Sequence, residues 1–133
     1  MSANPTDPNG SAGRILVVED NVDAAETMQM LLSISGYETR TAYNGAMALE
    51  LARAFRPQVV FLDIGLPGKD GYQVARELRG LPETRSALLV ALTGYGHDDD
   101  RRRATEAGFD AFQLKPVAAA ALEALLSEHF SKP

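Results

Sequence analysis

The chain has 133 residues, 45% hydrophobic and 23% charged, which is one ordinary domain with a globular composition and excludes a fibrous or disordered polymer. Its 18 acids against 13 bases give a net charge of -5, which excludes non-specific nucleic-acid binding, since that needs a basic face. Cysteine is absent, excluding a disulfide framework, a thiolate metal site and a cysteine nucleophile.

No apolar run reaches the roughly 20 residues that span a bilayer. No basic-then-apolar start marks a signal peptide. The expected setting is the cytoplasm, away from membranes.

Residues 1–13 (MSANPTDPNGSAG) carry Pro, Asn, Ser and Gly without an apolar anchor and read as a flexible leader. Ile15–Val18 is a short, nearly continuous apolar run, the pattern of a strand buried on both faces. Met28, Leu31, Leu32 and Ser35 then share a helical face that Gly36 ends. Glu38–Ala42 is polar with two threonines and reads as an edge strand. Ala48, Leu51, Ala52 and Phe55 line a second helix, with Asn44 as its N-cap and Pro57 beyond its end.

Val59–Leu62 is the next apolar run, and Asp70 caps a third helix reaching about Arg79. Leu88–Leu92 follows, then a fourth helix closed by Gly108. Ala111–Leu114 is a fifth strand, also expected to be buried on both faces. Leu122, Leu125 and Leu126 line a fifth helix, leaving residues 131–133 as a tail.

Strands alternating with helices predict an α/β domain over residues 14–130. Short connections and right-handed crossovers give a five-stranded parallel sheet between two helical layers, a three-layer sandwich with five helices.

The unusual polar residues fall at one edge of that sheet. Glu19 and Asp20 follow the first strand, Asp63 ends the third, Thr93 follows the fourth and Lys115 follows the fifth. All lie at carboxyl ends of strands, where open α/β sheets bind ligands. In the common strand order 2-1-3-4-5 the first and third strands are neighbours, so Glu19, Asp20 and Asp63 converge, flanked by Thr93 and Lys115.

Three converging carboxylates repel unless a cation or proton intervenes. A His-free, all-oxygen donor set selects a hard ion, and Mg²⁺ fits best because it takes one or two carboxylates and binds phosphate as well. A carboxylate can also attack phosphorus to give an aspartyl phosphate. An ammonium and a hydroxyl are at hand for the phosphoryl oxygens. Singly, each residue reads as well as a cap, a turn residue or a surface lysine; the constellation carries the inference.

The stretches Ile15-Leu-Val-Val-Glu-Asp-Asn21, Phe61-Leu-Asp-Ile-Gly-Leu-Pro-Gly-Lys-Asp-Gly71, Val90-Ala-Leu-Thr-Gly94 and Leu114-Lys-Pro116 occur in the order and spacing of a known family. The sequence resembles the receiver domain of bacterial two-component response regulators, over essentially Arg14 to Phe130. Its fuller wording is similar to receivers of hybrid histidine kinases and to stand-alone single-domain regulators.

The resemblance implies a flavodoxin-like fold and a signalling switch in a phosphorelay. Asp63 would accept a phosphoryl group from a phosphohistidine on a histidine kinase or histidine phosphotransfer protein. It implies Mg²⁺ held by Asp20, Asp63 and the backbone carbonyl of Gly65, with Glu19, where the family more often has Asp, acting mostly through water. Thr93 would turn its hydroxyl to the phosphoryl group, Lys115 would pair with it, and the Lys115–Pro116 peptide would be cis.

Phe112, three positions before the lysine, would be the aromatic switch. It lacks the hydroxyl that could distinguish inward from outward states, leaving packing to do so. Output would leave through the fourth helix, fifth strand and fifth helix to a downstream protein. Gly65 and Tyr95 occupy the positions that tune phosphoryl lifetime. Gly65 has no side chain to position a water and Tyr95 stands to cover the site, so slow hydrolysis is expected.

Such a chain is no turnover enzyme and catalyses only its own phosphorylation and dephosphorylation. A haloacid-dehalogenase-type phosphatase also uses a strand-end Asp with Mg²⁺, but it needs a second Asp two residues later, where this chain has Gly65, and the chain has no cap domain. A phosphorylation-independent interaction module is the other alternative; retention of all five site residues opposes it. Asp98-Asp-Asp-Arg-Arg-Arg103 reads as a self-paired helical face with pairs such as Asp98 and Arg102. His97 reads as a loop residue and His129 as a partly buried packing residue. The chain reads either as a stand-alone receiver or as one excised from a longer protein.

Overall fold

The computed structural model describes residues 13–65, 70–94 and 98–131. Its elements are β1 (Arg14–Val18), α1 (Val22–Ile34), β2 (Glu38–Ala42), α2 (Gly45–Phe55), β3 (Val59–Asp63), α3 (Gly71–Gly80), β4 (Leu88–Thr93), α4 (Asp98–Ala107), β5 (Ala111–Leu114) and α5 (Ala119–Ser131). The strands form one parallel sheet in the order β2-β1-β3-β4-β5.

Alternation along each strand splits the core in two. Leu16, Val18, Val60, Leu62, Leu89 and Ala91 face α2, α3 and α4, meeting Ala48, Ala52, Val74, Ala75, Leu78 and Ala104. Ile15, Val17, Val59, Phe61, Val90 and Leu92 face the other way, onto Leu32 of α1 and Leu122, Leu126 and Phe130 of α5. With helices on both faces the central strands β1, β3 and β4 are buried along nearly their whole length and read as unbroken apolar runs. Each fully buried aliphatic or aromatic side chain contributes about 1.5–3 kcal/mol.

Local chemistry sets the element ends. Asn21, Asn44 and Asp70 accept hydrogen bonds from the backbone N–H of Ala24 (3.0 Å), Met47 (2.8 Å) and Gln73 (2.9 Å), each capping a helix start. Gly36 and Gly108 end α1 and α4 at φ of 94° and 107°. α2 ends differently from the glycine habit, on Arg56 at φ 53°, immediately before Pro57. The Arg56 carbonyl accepts from Arg14 Nε at 2.9 Å, a tertiary bond that holds this conformation.

Two expectations are corrected. β5 is not buried on both faces: Ala111, Phe112 and Gln113 are half-buried and Leu114 is exposed, because the strand order makes β5 the outer edge opposite β2. Gly13 belongs to the folded part and not to the leader. It is buried, its carbonyl accepts from the Glu38 N–H at 2.9 Å, and a Cβ there would stand 2.6 Å from the Phe130 ring. Residues 1–12, Tyr95, His97 and the side chain of Asp98 lie outside the described residues. His129 is half-buried, edge-on to Phe130 at 5.0 Å between ring centres. No helix among the described residues is long and apolar enough to cross a membrane.

Candidate functional site

The carboxyl-terminal edge of the sheet gathers the singled-out side chains because parallel strands end together. Asp63 is the last residue of β3 and Thr93 the last of β4, while Glu19 directly follows β1. β1 pairs with β3 in the register Val18↔Leu62, and β3 with β4 in the register Asp63↔Leu92. Lys115 is brought in from beyond β5 by its own N–H, which donates to the Thr93 carbonyl at 2.7 Å. The Lys115–Pro116 peptide that follows is cis.

At the centre lies a cation shared by two acids. Lys115 Nζ is 2.5 Å from Glu19 Oε1 and 3.0 Å from Asp63 Oδ2. Glu19 is 1% exposed and Asp63 8%, so these are buried charges in a low-dielectric setting. The other Asp63 oxygen, Oδ1, accepts from the Gly65 N–H at 2.8 Å. Glu19 Oε2 accepts a longer bond from the Asn21 N–H, 3.4 Å. Thr93 is buried beside them and Asp20 is exposed at the rim.

One ammonium does not serve two buried carboxylates equally. Burial, and then the hydrogen bond with Asp63, push Glu19 up to about 7, against the pull of Lys115. Burial also opposes ionisation of Asp63, but bonding to Glu19, the Gly65 N–H and Lys115 outweighs it and holds Asp63 below the ordinary aspartate range. Lys115 is raised: burial works against its charge, and the bonds to Glu19 and Asp63 more than compensate. Proton and charge are therefore divided unequally, with Asp63 the more readily ionised carboxylate and Glu19 the more readily protonated one.

Glu19, Asp20 and Asp63 each offer an oxygen within 4.8 Å of one another. Three oxygen donors around a site where Lys115 is the one compensating ammonium among the described residues suit a hard divalent cation. A Cβ added at Gly65 would stand 3.5 Å from Asp63 Oδ1, so whatever occupies that position borders the carboxylate oxygen directly. At the opposite extreme of tightness, a Cβ at Gly71 would lie 2.4 Å from Ile64 Cα; glycine there lets α3 begin against the backbone following Asp63.

Phe112 stands apart from the charged centre, on β5 in register with Ala91. It packs on the core face shared by α2, α3 and α4. The guanidinium of Arg101 from α4 lies over its ring, 4.8 Å from the centre. The sequence reads Arg101 as part of a solvated, self-paired helical face, or of a stripe that binds a partner, and not as a contact of Phe112. Local periodicity carries no signal for a contact between α4 and the edge strand.

The sequence matches the family model of the response regulator receiver domain over residues 15–127. It is 35% identical over 104 residues to the polar-differentiation response regulator DivK of Brucella anthropi, covering 78% of this chain and 85% of DivK. It is 36% identical over 118 residues to the transcriptional regulatory protein PrrA of Mycobacterium leprae, covering 89% of this chain and about half of PrrA. The receiver domain of the sensor histidine kinase PA1611 of Pseudomonas aeruginosa, solved with a magnesium ion coordinated in its active-site cleft, superposes with a TM-score of 0.82 at 29% identity, covering 90% of this chain and 98% of that one. Strand order, site placement and these similarities agree: the chain belongs to the response regulator receiver domains of two-component systems.

Proposed function

We propose that this receiver is a phosphorylation-gated switch whose acceptor is Asp63. The observation that carries the reading is the convergence at one sheet edge of Glu19, Asp20 and Asp63, whose carboxylate oxygens lie within 4.8 Å of one another, with Lys115 Nζ 3.0 Å from Asp63 Oδ2. In the reaction, an Asp63 carboxylate oxygen forms a bond to phosphorus and the P–N bond of a donor phosphohistidine breaks. The imidazole nitrogen leaves with the electron pair. Lys115 is placed to follow the new phosphoryl oxygens as a point charge, and the Thr93 hydroxyl to donate to one of them.

Asp20, Asp63 and the Gly65 carbonyl would hold Mg²⁺, with Glu19 acting mostly through water. The ion would supply neutralisation of the phosphoryl charge as it transfers. The donor partner is a histidine kinase or histidine phosphotransfer protein, and the recipient of the output is a protein docking on α4, β5 and α5, with Phe112 reporting the state of the site. The only chemistry catalysed is the chain's own phosphorylation and dephosphorylation, in the cytoplasm. Gly65 leaves the space beside Asp63 Oδ1 without a side chain to hold an attacking water, which favours a long-lived phosphoryl group; Tyr95 is the second position proposed to tune that lifetime.

The test is intact mass after incubation with acetyl phosphate. The expected result is a gain of one phosphoryl group that requires Mg²⁺ and is absent in Asp63→Asn. A wild-type chain that stays unmodified in the presence of both reagents, or an adduct that survives in Asp63→Asn, overturns the reading.

A further inference from the structure

α4 is an unusually polar helix to find against a hydrophobic sheet. Among its described residues only Ala104 and Ala107 are buried, and neither provides much apolar area. What it offers instead is two arginines laid on aromatic rings. Arg103 lies over Tyr72 of α3 at 4.3 Å, and the Tyr72 hydroxyl donates to the Asp100 carbonyl at 3.4 Å, so this contact ties α4 to its neighbouring helix. Arg101 lies over Phe112 of β5 at 4.8 Å, so the second contact ties α4 to the edge strand.

The surroundings of Phe112 explain why the second contact matters. Between α4 and β5 there is an open cavity of about 240 Å³ lined by Arg101, Ala104, Thr105, Phe109, Asp110 and Phe112. The half-buried ring packs against the apolar core and also borders this cavity. It lacks a hydroxyl with which to bond in either of two positions. Beyond that apolar packing, the Arg101 guanidinium adds a cation–π contact worth about 0.5–1 kcal/mol at an exposed site, or roughly a two- to fivefold population ratio.

We propose that Arg101 is a positioning residue for the switch: seated over Phe112, it holds the ring in its resting arrangement and so sets how readily Asp63 takes up a phosphoryl group. The inference rests on the phosphorylation reading above. Its logic is linkage: whatever favours the resting arrangement of Phe112 disfavours the phosphorylated state by the same factor. Arg101 touches none of the reacting atoms and acts through the ring alone.

The experiment measures the rate and extent of phosphoryl uptake from acetyl phosphate with Mg²⁺ in Arg101→Met, Arg101→Lys, Arg103→Met, Phe112→Leu and the Arg101→Met/Phe112→Leu double variant. Ring ¹³C–¹H spectra of Phe112 are recorded with and without beryllofluoride as a phosphoryl mimic. Arg101→Met is expected to raise uptake roughly two- to fivefold and to move the mimic-free Phe112 signal toward its mimic-bound position. Arg101→Lys, which keeps the cation, should restore most of the wild-type behaviour. Arg103→Met makes the same charge change on the same helix and should lower Tm without changing uptake.

In the Phe112→Leu background the Arg101 effect should vanish, as a double-mutant cycle requires of a pairwise contact. Unchanged uptake in Arg101→Met, an equal gain in Arg103→Met, or an Arg101 effect that persists without the aromatic ring overturns the inference. A wild-type chain that forms no adduct at all overturns the phosphorylation reading, and this inference falls with it.

Discussion

Each edge of the sheet holds a cation among acceptors, and the two are wired in opposite ways. At the amino-terminal edge Arg79 donates through Nε to the Gly108 carbonyl (2.9 Å) and through Nη1 to the carbonyls of Arg85 (3.0 Å) and Ala87 (2.7 Å), while Nη2 pairs with Asp110. Asp110 also accepts from the Leu89 N–H at 2.9 Å. Backbone acceptors hold the guanidinium from several sides, so the cluster staples α3, β4 and the turn before β5 and has nothing left to react. At the carboxyl-terminal edge one ammonium stands between two buried carboxylates and leaves one of them far from its ordinary pKa. A satisfied network stabilises; the carboxylate cluster at the other edge is the one proposed to take up a cation and a phosphoryl group.

The sharpest way to separate the two edges is to cut the staple. Asp110→Ala leaves the Leu89 N–H and the Arg79 guanidinium each short of a partner and should cost about 2 kcal/mol. Thermal denaturation should show this as a drop of roughly 6–12 °C in Tm, with uptake of phosphoryl by the folded fraction unchanged. A variant of normal Tm but impaired uptake would erase the distinction between the edges.

The opposite edge should respond to pH instead. In metal-free buffer Glu19 has a folded-state pKa of about 7 against an ordinary 4.5. The folded protein thus holds that proton more tightly than the unfolded chain does. The resulting stability is complete below about pH 4.5 and is lost as pH rises through about 7. Glu19→Gln should remove this slope, matching wild type near pH 5 and exceeding its Tm by a few degrees, roughly, at pH 8. Parallel Tm-against-pH curves for the two proteins would show that Glu19 is not the strained group. Asp63, shifted downward, acts only below the ordinary aspartate range and leaves this window clear.

A smaller effect is expected at position 65. Gly65→Asn places an amide beside Asp63 Oδ1, where it can hold a water, and should shorten the phosphoryl lifetime by roughly threefold to tenfold. The check is decay of the adduct mass after the donor is removed. A lifetime unchanged by the substitution would mean that water reaches the phosphoryl group without help from this position.

Much of this was legible before any coordinates because of where information sits in a parallel sheet. Val59–Leu62 and Leu88–Leu92 announce themselves as unbroken apolar runs, and the residues at their carboxyl ends are placed together by topology alone, so Glu19, Asp63, Thr93 and Lys115 could be grouped. Asn44 and Asp70 were readable as caps because capping is local. The exposure of β5 was not readable from Ala111–Leu114 itself, since it follows from strand order. The link between Arg79 and Asp110 joins residues 31 apart in sequence, and Arg101 over Phe112 depends on how α4 leans on β5; neither leaves a periodic trace. The left-handed Arg56 was hidden because glycine is the usual occupant of that conformation.

The most direct test of the carboxyl-terminal edge is to locate the phosphoryl group itself. After incubation with acetyl phosphate and Mg²⁺, borohydride reduction of the acyl phosphate followed by peptide mass spectrometry should mark Asp63 alone. A mark on another aspartate or glutamate, or phosphate found on a serine, threonine or histidine with Asp63 untouched, would contradict the account.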